Sequence, residues 1–208
     1  MAGFSDDCQW WWDGTTWIAT SQIVIPDLPP TEHAKELGPR VARFKALDSA
    51  ALAGSFVDLG PLIFGWLFWY RRAFRTYREW TIEQLHAAAG YLLGPNEPVM
   101  AADVGLFAEL LIGWTWGGYG VVVTAGHVLV LANDKPLGHP QKVLLAADPR
   151  QVQMRLHAGG ILNAYPTILI SAGGQVWPIR GMNGIIKPEP VIAAWRQAVT
   201  ARPAVSSA

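Results

Sequence analysis

Cysteine is almost absent from this chain of 208 residues, because Cys8 is the only one. A single cysteine excludes a disulfide within the chain and is typical of proteins in reducing compartments. The first residues also lack the basic segment and the apolar core of a secretory signal peptide. We therefore expect a cytoplasmic protein.

Charged residues are few as well, at 15% of the chain, and the formal net charge is zero. A neutral chain gives no support for a nucleic-acid partner, and we expect none. The charges are nonetheless unevenly distributed. Residues 1–39 carry six acidic and one basic side chain, whereas residues 40–78 carry two acidic and seven basic ones. A basic segment therefore lies within a chain that is neutral as a whole.

The familiar motifs of catalysis and metal binding are missing too. The sequence holds no H-E-x-x-H, G-x-S-x-G or G-x-x-x-x-G-K motif. His127 and His139 flank Asp134, but histidines so far apart are more often structural residues than metal ligands. No pattern brings a histidine near Cys8, so a cysteine–histidine nucleophile is not expected. We expect neither an enzyme nor a bound cofactor or metal.

Tryptophan, by contrast, is abundant, and four of the eleven lie between residues 10 and 17. Asp13-Gly14 in this stretch predicts a two-residue hairpin turn, which pairs Trp10 with Trp17. In that register Trp11 lies alone on one face of the hairpin. The other face is either a docking element for the rest of the chain or a platform that binds a peptide or sugar. The candidate protein-binding residues on it are Trp10, Trp12 and Trp17.

The string WWDGTTW, which ends at Trp17, resembles a short tryptophan-rich module with the core W-W-D-G-x-x-W. That module occurs near the ends of many bacterial envelope-associated proteins. The similarity covers residues 9–18. It implies a terminal adaptor in a bacterial protein, not an active site.

The sequence predicts mostly helix between residues 31 and 91. Thr31 is placed to cap a helix over residues 32–47, with an interruption at Gly38-Pro39. An apolar run follows at residues 49–70. From Arg71 a second helix is expected to continue to Gly94-Pro95, since glycine followed by proline commonly ends helices.

The apolar run at residues 49–70 has about the length of a membrane-spanning helix. Asp58 and the break at Gly60-Pro61 argue against a plain span, and the basic flanks favour a shallow hairpin or interfacial helix on an anionic membrane face. A buried helix in the core of a soluble domain is the other interpretation. The candidate membrane-contact residues are Leu62, Ile63, Phe64, Trp66, Leu67, Phe68, Trp69, Arg71, Arg72, Arg75 and Arg78.

Short apolar runs separated by turn residues predict an antiparallel sheet with one buried face in the second half of the chain. The expected strands are residues 99–104, 110–116, 121–123, 128–131, 152–157, 167–171 and 175–180. A last helix is expected after Lys187-Pro188. Its predicted core-facing stripe is Ile192, Trp195 and Val199.

Six or seven antiparallel strands followed by one amphipathic helix resemble the pleckstrin-homology (PH) superfold of small bacterial proteins. The similar stretches are LGPNEPV at 93–99, VTAGHVLVL at 123–131, and ILI at 168–170 with GGQVW at 173–177. The resemblance covers about residues 92–200. It implies a domain that binds lipid headgroups or proteins, with Trp195 as the main buried anchor of the last helix.

Together these features predict an α+β chain with four parts. They are a tryptophan-rich hairpin and linker (1–30), a helical apolar-basic segment (31–91), a PH-like β domain (92–200) and a disordered tail (201–208). The predicted function is a non-enzymatic, membrane-peripheral module at the inner face of the membrane, which contacts anionic lipid through the apolar helix and binds a protein partner. The alternative is a soluble structural or assembly protein, oligomeric or viral, in which the apolar helix is buried core.

Overall fold

The computed structural model describes residues 2–53, 62–107, 117–133, 138–157, 166–180 and 188–201, with the backbone alone at 44–53, 62–74, 106–107, 117 and 180. The strands are β1 (Gly3–Phe4), β2 (Trp10–Trp12), β3 (Trp17–Ala19), β4 (Val99–Phe107), β5 (Gly117–Thr124), β6 (Val128–Asn133), β7 (Pro140–Ala147), β8 (Gln153–His157), β9 (Thr167–Ala172) and β10 (Gln175–Arg180). The helices are α1 (Glu32–Ala53), α2 (Leu62–Leu93) and α3 (Pro188–Ala201). The chain is therefore α+β, as the sequence predicts.

The larger sheet has the strand order β7-β6-β5-β4-β10-β9-β8, and all its neighbouring strands are antiparallel. It consists of two meanders, β4–β7 and β8–β10, which join where Arg180 lies opposite Leu106. Strand β7 is not among the predicted strands, because its sequence starts with proline and does not alternate strictly between polar and apolar residues. The predicted strand at 110–116 lies outside the described residues.

The central strands of this sheet are buried on both faces. Val122 and Leu129 pack in one cluster with residues of α2, whereas Val121 and Val130 pack in a second cluster with residues of α3. The prediction of a single buried face is therefore wrong for β5 and β6. Two covered faces also explain why these strands read as continuous valine and leucine runs.

Helix α2 lies against the larger sheet through a stripe at helical spacing. Gly120 of β5 permits the close approach, since a Cβ there would lie 2.2 Å from Cδ2 of Leu85. The helix ends as predicted, because Gly94 adopts a φ of +79° and its N–H donates to the Gly90 carbonyl at 3.0 Å. The buried residues of the stripe are Thr81, Gln84, Leu85, Ala88, Ala89 and Leu92.

Helix α1 packs antiparallel to α2, so the two form a helical hairpin. Near the start of α1, the Thr31 hydroxyl donates to Glu83 at 2.7 Å and also caps the helix by accepting the Ala34 N–H at 3.1 Å. Further along α1, Val41 packs in one cluster with Trp80. Later residues of α1 therefore meet earlier residues of α2.

Helix α1 runs without interruption through Pro39, so the predicted break at Gly38-Pro39 is wrong. Leu37 and Val41 lie on either side of the proline and both pack in the cluster around Trp80. These contacts hold both flanks of Pro39 in the helix despite the hydrogen bond that proline removes. Proline alone was therefore a poor guide to the end of this helix.

Helix α3 covers the second face of the larger sheet, but with a different stripe from the predicted one. Ile192 is buried as expected, whereas Trp195 and Val199 are only partly buried. The buried positions are Val191, Ile192, Ala194 and Ala198, and the small alanines allow the helix to lie close to the strands. Trp195 instead donates its Nε1–H to the Pro149 carbonyl at 2.9 Å, at the edge of the contact.

None of the helices in the described part of the chain is long and apolar enough to cross a membrane. The tail at 202–208 lies outside the described residues. The linker after β3 lies along strand β7, where the Ile25 N–H donates to the Gln141 carbonyl at 2.8 Å and Val24 forms a bridge with Lys142. The linker thus covers part of an edge strand that would otherwise expose its backbone groups.

Candidate functional site

The tryptophan-rich N-terminus forms a three-stranded antiparallel sheet in the order β1-β2-β3. Trp12 pairs with Trp17, and Trp10 pairs with Ala19, so the loop spans residues 13–16 and the predicted two-residue turn is wrong. The Asp13 carboxylate explains the wider loop, because it accepts the backbone N–H groups of residues 15 and 16 at 2.7 Å each. Hydrogen bonds from Thr16 and Thr15 lower the pKa of Asp13 to about 2.

The strand pairing puts Trp10, Trp12 and Trp17 on one face of this small sheet, as predicted. Trp10 and Trp17 are 49% and 54% exposed, and the rings of Trp12 and Trp17 contact each other with centroids 5.4 Å apart. A groove of about 350 Å³ is lined by Ser5, Trp10 and Trp17. The face is therefore an open aromatic surface and not the one that docks on the rest of the chain.

Trp11, on the opposite face, attaches the N-terminal sheet to the rest of the chain. Its side chain is buried, and its Nε1–H donates to the Leu92 carbonyl at 2.8 Å. Its ring also contacts that of Tyr91, with centroids 5.3 Å apart. The N-terminal sheet is thereby fixed to the last turn of α2, close to the start of β4.

The second half of α2 is attached to β4 by a buried ion pair. Nε and Nη2 of Arg78 donate to Oδ1 of Asp103 at 3.0 and 2.9 Å, and the Asp103 side chain is 1% exposed. Burial raises the pKa of Asp103 to about 6, although Arg78 opposes the shift. The Arg78 guanidinium is occupied by this carboxylate, so its assignment to membrane contact is corrected: it is a structural residue.

Helix α2 brings the membrane-contact candidates onto one continuous helix. Arg75 is exposed. For the remaining candidates only the helical backbone is described, and they lie in the first three turns of α2. These residues are Leu62, Ile63, Phe64, Trp66, Leu67, Phe68, Trp69, Arg71 and Arg72.

A cluster that the sequence did not predict lies between the N-terminal sheet and the larger sheet. Cys8 lies close enough to the imidazole of His127 to raise its pKa. Its Nδ1 lies 2.8 and 3.0 Å from the two carboxylate oxygens of Glu97. The expectation that no histidine lies near Cys8 is therefore wrong. Residues from three distant parts of the chain meet here because Trp11 docks the N-terminal sheet beside the β5–β6 turn.

Hydrogen bonds within the cluster hold the Glu97 carboxylate in place and shift the pKa values of Glu97 and His127. The Thr124 hydroxyl and the Gly126 N–H both donate to Oε1 of Glu97. Burial by itself raises the pKa of Glu97, but the bonds with His127 and Thr124 outweigh it and hold that pKa below its usual value. Burial also disfavours the charged imidazole, yet the bonds with Cys8 and Glu97 raise the pKa of His127 to about 9. At neutral pH the imidazole of His127 is therefore protonated and paired with the Glu97 carboxylate.

A cleft of about 780 Å³ opens beside Cys8, between the N-terminal sheet and the larger sheet. Among the described residues that line it, Asp7 is the only charged one. The wall combines amide and hydroxyl groups with apolar side chains, and includes Gln9, Thr20, Ser21, Leu145, Gln175 and Trp177. A ligand of this cleft is therefore expected to be neutral or cationic.

The residues that the sequence associated with metal binding do not form a metal centre in the described structure. His127 bonds to Glu97, whereas His139 lies edge-on against Trp80 with centroids 4.9 Å apart. Asp134 lies outside the described residues. Within the described ranges, no three His, Cys, Asp or Glu side chains are arranged to hold a metal ion.

Comparison with protein-family models, with curated proteins and with solved structures finds no match for this chain. The resemblances to the PH superfold and to the tryptophan-rich module therefore stay predictions. Function has to be inferred from the chain's own geometry and chemistry.

Proposed function

We propose that this protein is a non-enzymatic, membrane-peripheral interaction module that uses the α1–α2 hairpin to contact an anionic membrane surface. The observation that carries the proposal is the continuity of α2, which starts at Leu62 and joins the apolar run to the arginines that follow it. The outer part of this helix, the 15 residues before Tyr77, corresponds to about 22 Å of helix.

The sequence of that outer part suits a membrane interface. Residues 62–70 read LIFGWLFWY, and arginines follow at once. Apolar side chains such as Leu62, Phe64 and Phe68 would enter the boundary between headgroups and acyl chains, while Arg71, Arg72 and Arg75 attract lipid phosphates. Each basic residue near an anionic surface contributes about 1 kcal/mol. Two weak signals together give reversible attachment.

Membrane contact by the outer part of α2 positions the β domain only if the inner part of the hairpin is firmly attached to that domain. The Arg78–Asp103 ion pair fixes α2 to the larger sheet. The Thr31–Glu83 hydrogen bond and the packing around Trp80 hold α1 against α2. Insertion of the outer half would therefore hold the whole β domain at the cytoplasmic face of the membrane.

The β domain is the part we assign to a protein partner. Seven antiparallel strands followed by an amphipathic helix agree with the architecture that the PH resemblance implies, which supports the proposal. The exposed face of Trp10, Trp12 and Trp17 supplies a second contact surface for a protein.

Co-sedimentation with liposomes tests the membrane contact. The triple variant Arg71→Gln, Arg72→Gln, Arg75→Gln is compared with the original chain on vesicles that contain phosphatidylserine. Loss of three attractions of about 1 kcal/mol each should weaken binding by about two orders of magnitude at low salt. Arg78 is left intact because its replacement would disturb the fold.

The matched control removes the same charge from the β domain, through Lys142→Gln, Arg155→Gln and Arg196→Gln, which are all exposed positions. This control should bind vesicles like the original chain. Equal partitioning of both triple variants would contradict the proposal. A stable oligomer that ignores vesicles would favour the alternative of an assembly protein with a buried apolar helix.

A further inference from the structure

Small residues beside the exposed tryptophans leave room on the open face of the N-terminal sheet. Gly3 pairs with Trp12, so the two share this face. Ser5 lies on the same face two residues further on, where its N–H donates to the Trp10 carbonyl at 2.9 Å. A Cβ added at Gly3 would meet nothing within 4 Å. The indoles of Trp10 and Trp17, together with Ser5, therefore line a groove of about 350 Å³ that is open on one side.

A carboxylate lies beside this groove. The Ser5 hydroxyl donates to Oδ1 of Asp7 at 2.6 Å, and the same oxygen accepts the Gln9 N–H at 3.1 Å. These hydrogen bonds hold the pKa of Asp7 below its ordinary value, so its carboxylate is charged at neutral pH. Asp7 also lines the cleft of about 780 Å³, and Trp10 lines both the cleft and the groove. The two depressions therefore meet at Trp10, with a fixed negative charge next to the shared indole.

The negative charge of the N-terminal sheet and its linker is not offset by any basic side chain of that segment. Residues 1–30 contain Asp6, Asp7, Asp13 and Asp27 but no lysine, arginine or histidine. All four aspartates are exposed, and hydrogen bonds from the two threonines of its loop lower the pKa of Asp13 to about 2. Indole rings attract cations through their π faces, and a surface of one charge sign attracts groups of the other. The open face is therefore complementary to a positively charged group.

We propose that the face of Trp10, Trp12 and Trp17 binds an extended, arginine-bearing segment of a partner protein, with one guanidinium packed on Trp10 and paired with the Asp7 carboxylate. The inference rests on the protein-binding part of the proposed function and is independent of membrane contact. Arginine fits better than lysine, because its planar guanidinium stacks on an aromatic face and bonds to a carboxylate at the same time. An extended segment fits because it can cross Trp10 and occupy both the groove and the cleft.

The test measures the fluorescence anisotropy of a labelled, capped nonapeptide of three Gly-Arg-Ser repeats, titrated with the unmodified full chain. A second peptide carries citrulline in place of each arginine, which keeps the shape and removes the charge, and a third carries lysine. The arginine peptide should bind about tenfold more tightly than the citrulline peptide at low salt. It should also bind about threefold more tightly than the lysine peptide, because a compact ammonium group cannot stack.

Two variants locate the site. Trp10→Ala should weaken binding of the arginine peptide about tenfold, through loss of the cation–π contact. Asp7→Asn should weaken it about threefold at low salt, and the asparagine keeps a carbonyl oxygen for the two hydrogen bonds that Oδ1 accepts. The matched controls are Leu156→Ala and Glu189→Gln, at exposed positions that line neither the groove nor the cleft. Both controls should bind the peptide like the original chain.

Equal binding of the arginine and citrulline peptides would overturn the inference, and this comparison decides the question even if Trp10→Ala does not fold. Displacement of the arginine peptide by an uncharged oligosaccharide such as cellohexaose would also overturn it, because the face is then a sugar platform. The membrane contact is tested separately with liposomes. Salt-sensitive vesicle binding without peptide selectivity strikes this inference alone, whereas selective peptide binding without vesicle binding supports it and strikes the membrane contact alone.

Discussion

Gly120→Ala tests the close contact between α2 and β5 that fixes the base of the helical hairpin. An added Cβ would lie 2.2 Å from Cδ2, 3.0 Å from Cδ1 and 3.2 Å from Cγ of Leu85. Leu85 is fully buried, so its side chain cannot swing into solvent to make room. Overpacking of this kind costs about 1–3 kcal/mol, and removal of a strand glycine returns roughly 0.5–1 kcal/mol. We expect a net loss of about 1–2 kcal/mol in the free energy of unfolding.

Urea denaturation followed by circular dichroism measures this loss. The matched control is Gly90→Ala, on the exposed side of the same helix, where an added Cβ meets nothing within 4 Å. That variant should gain about 0.5–1 kcal/mol. Leu85→Ala alone should cost about 2–5 kcal/mol, but less in the Gly120→Ala background because it removes the clash. Unchanged stability of Gly120→Ala, or strictly additive effects, would refute the close packing.

Three further predictions concern the ion pair, the cluster and the N-terminal sheet. Burial raises the pKa of Asp103 from 3.8 to about 6, so the folded state holds this proton more tightly and stability falls as pH rises through that window. Relative to Asp103→Asn, the original chain should lose about 2 kcal/mol between pH 4 and pH 7, as measured by urea denaturation. The pKa of His127 is raised by its partners and not by burial, from 6.5 to about 9. Its stabilisation is fully present below pH 6.5 and is lost as pH rises through about 9, and His127→Gln should abolish that loss. Trp11→Ala should cost about 3–5 kcal/mol, whereas Trp10→Ala on the open face should change thermal stability little.

The local elements of the fold could be predicted from the sequence, because each depends on neighbours in the chain. Alternation and turn residues located strands such as β6 and β9, and Gly94-Pro95 marked the end of α2. The sequence also predicts correctly that Trp10, Trp12 and Trp17 share one face, although the predicted turn is two residues too short. A shift of two residues leaves each side chain on the same face of a strand.

The turn at Asp13 and strand β7 were missed for local reasons, but the other failures involve contacts between distant parts of the chain. Nothing near Pro39 shows that Trp80 will hold both of its flanks in a helix. No local pattern reports that β5 and β6 are covered on both sides. The cluster of Cys8 and His127 exists only because Trp11 docks one sheet on another. One signal was nevertheless present, since the only cysteine follows an acidic turn and precedes a strand that carries its own docking residue.

The most direct test of the membrane proposal is co-sedimentation of the unmodified protein with phosphatidylserine vesicles and with neutral phosphatidylcholine vesicles, at low and high salt. We expect binding to the anionic vesicles that weakens as salt rises, because Arg71, Arg72 and Arg75 act through screened attraction. Binding to neutral vesicles should be much weaker. Protein that stays in the supernatant with anionic vesicles at low salt would contradict the proposal that the α1–α2 hairpin contacts membranes.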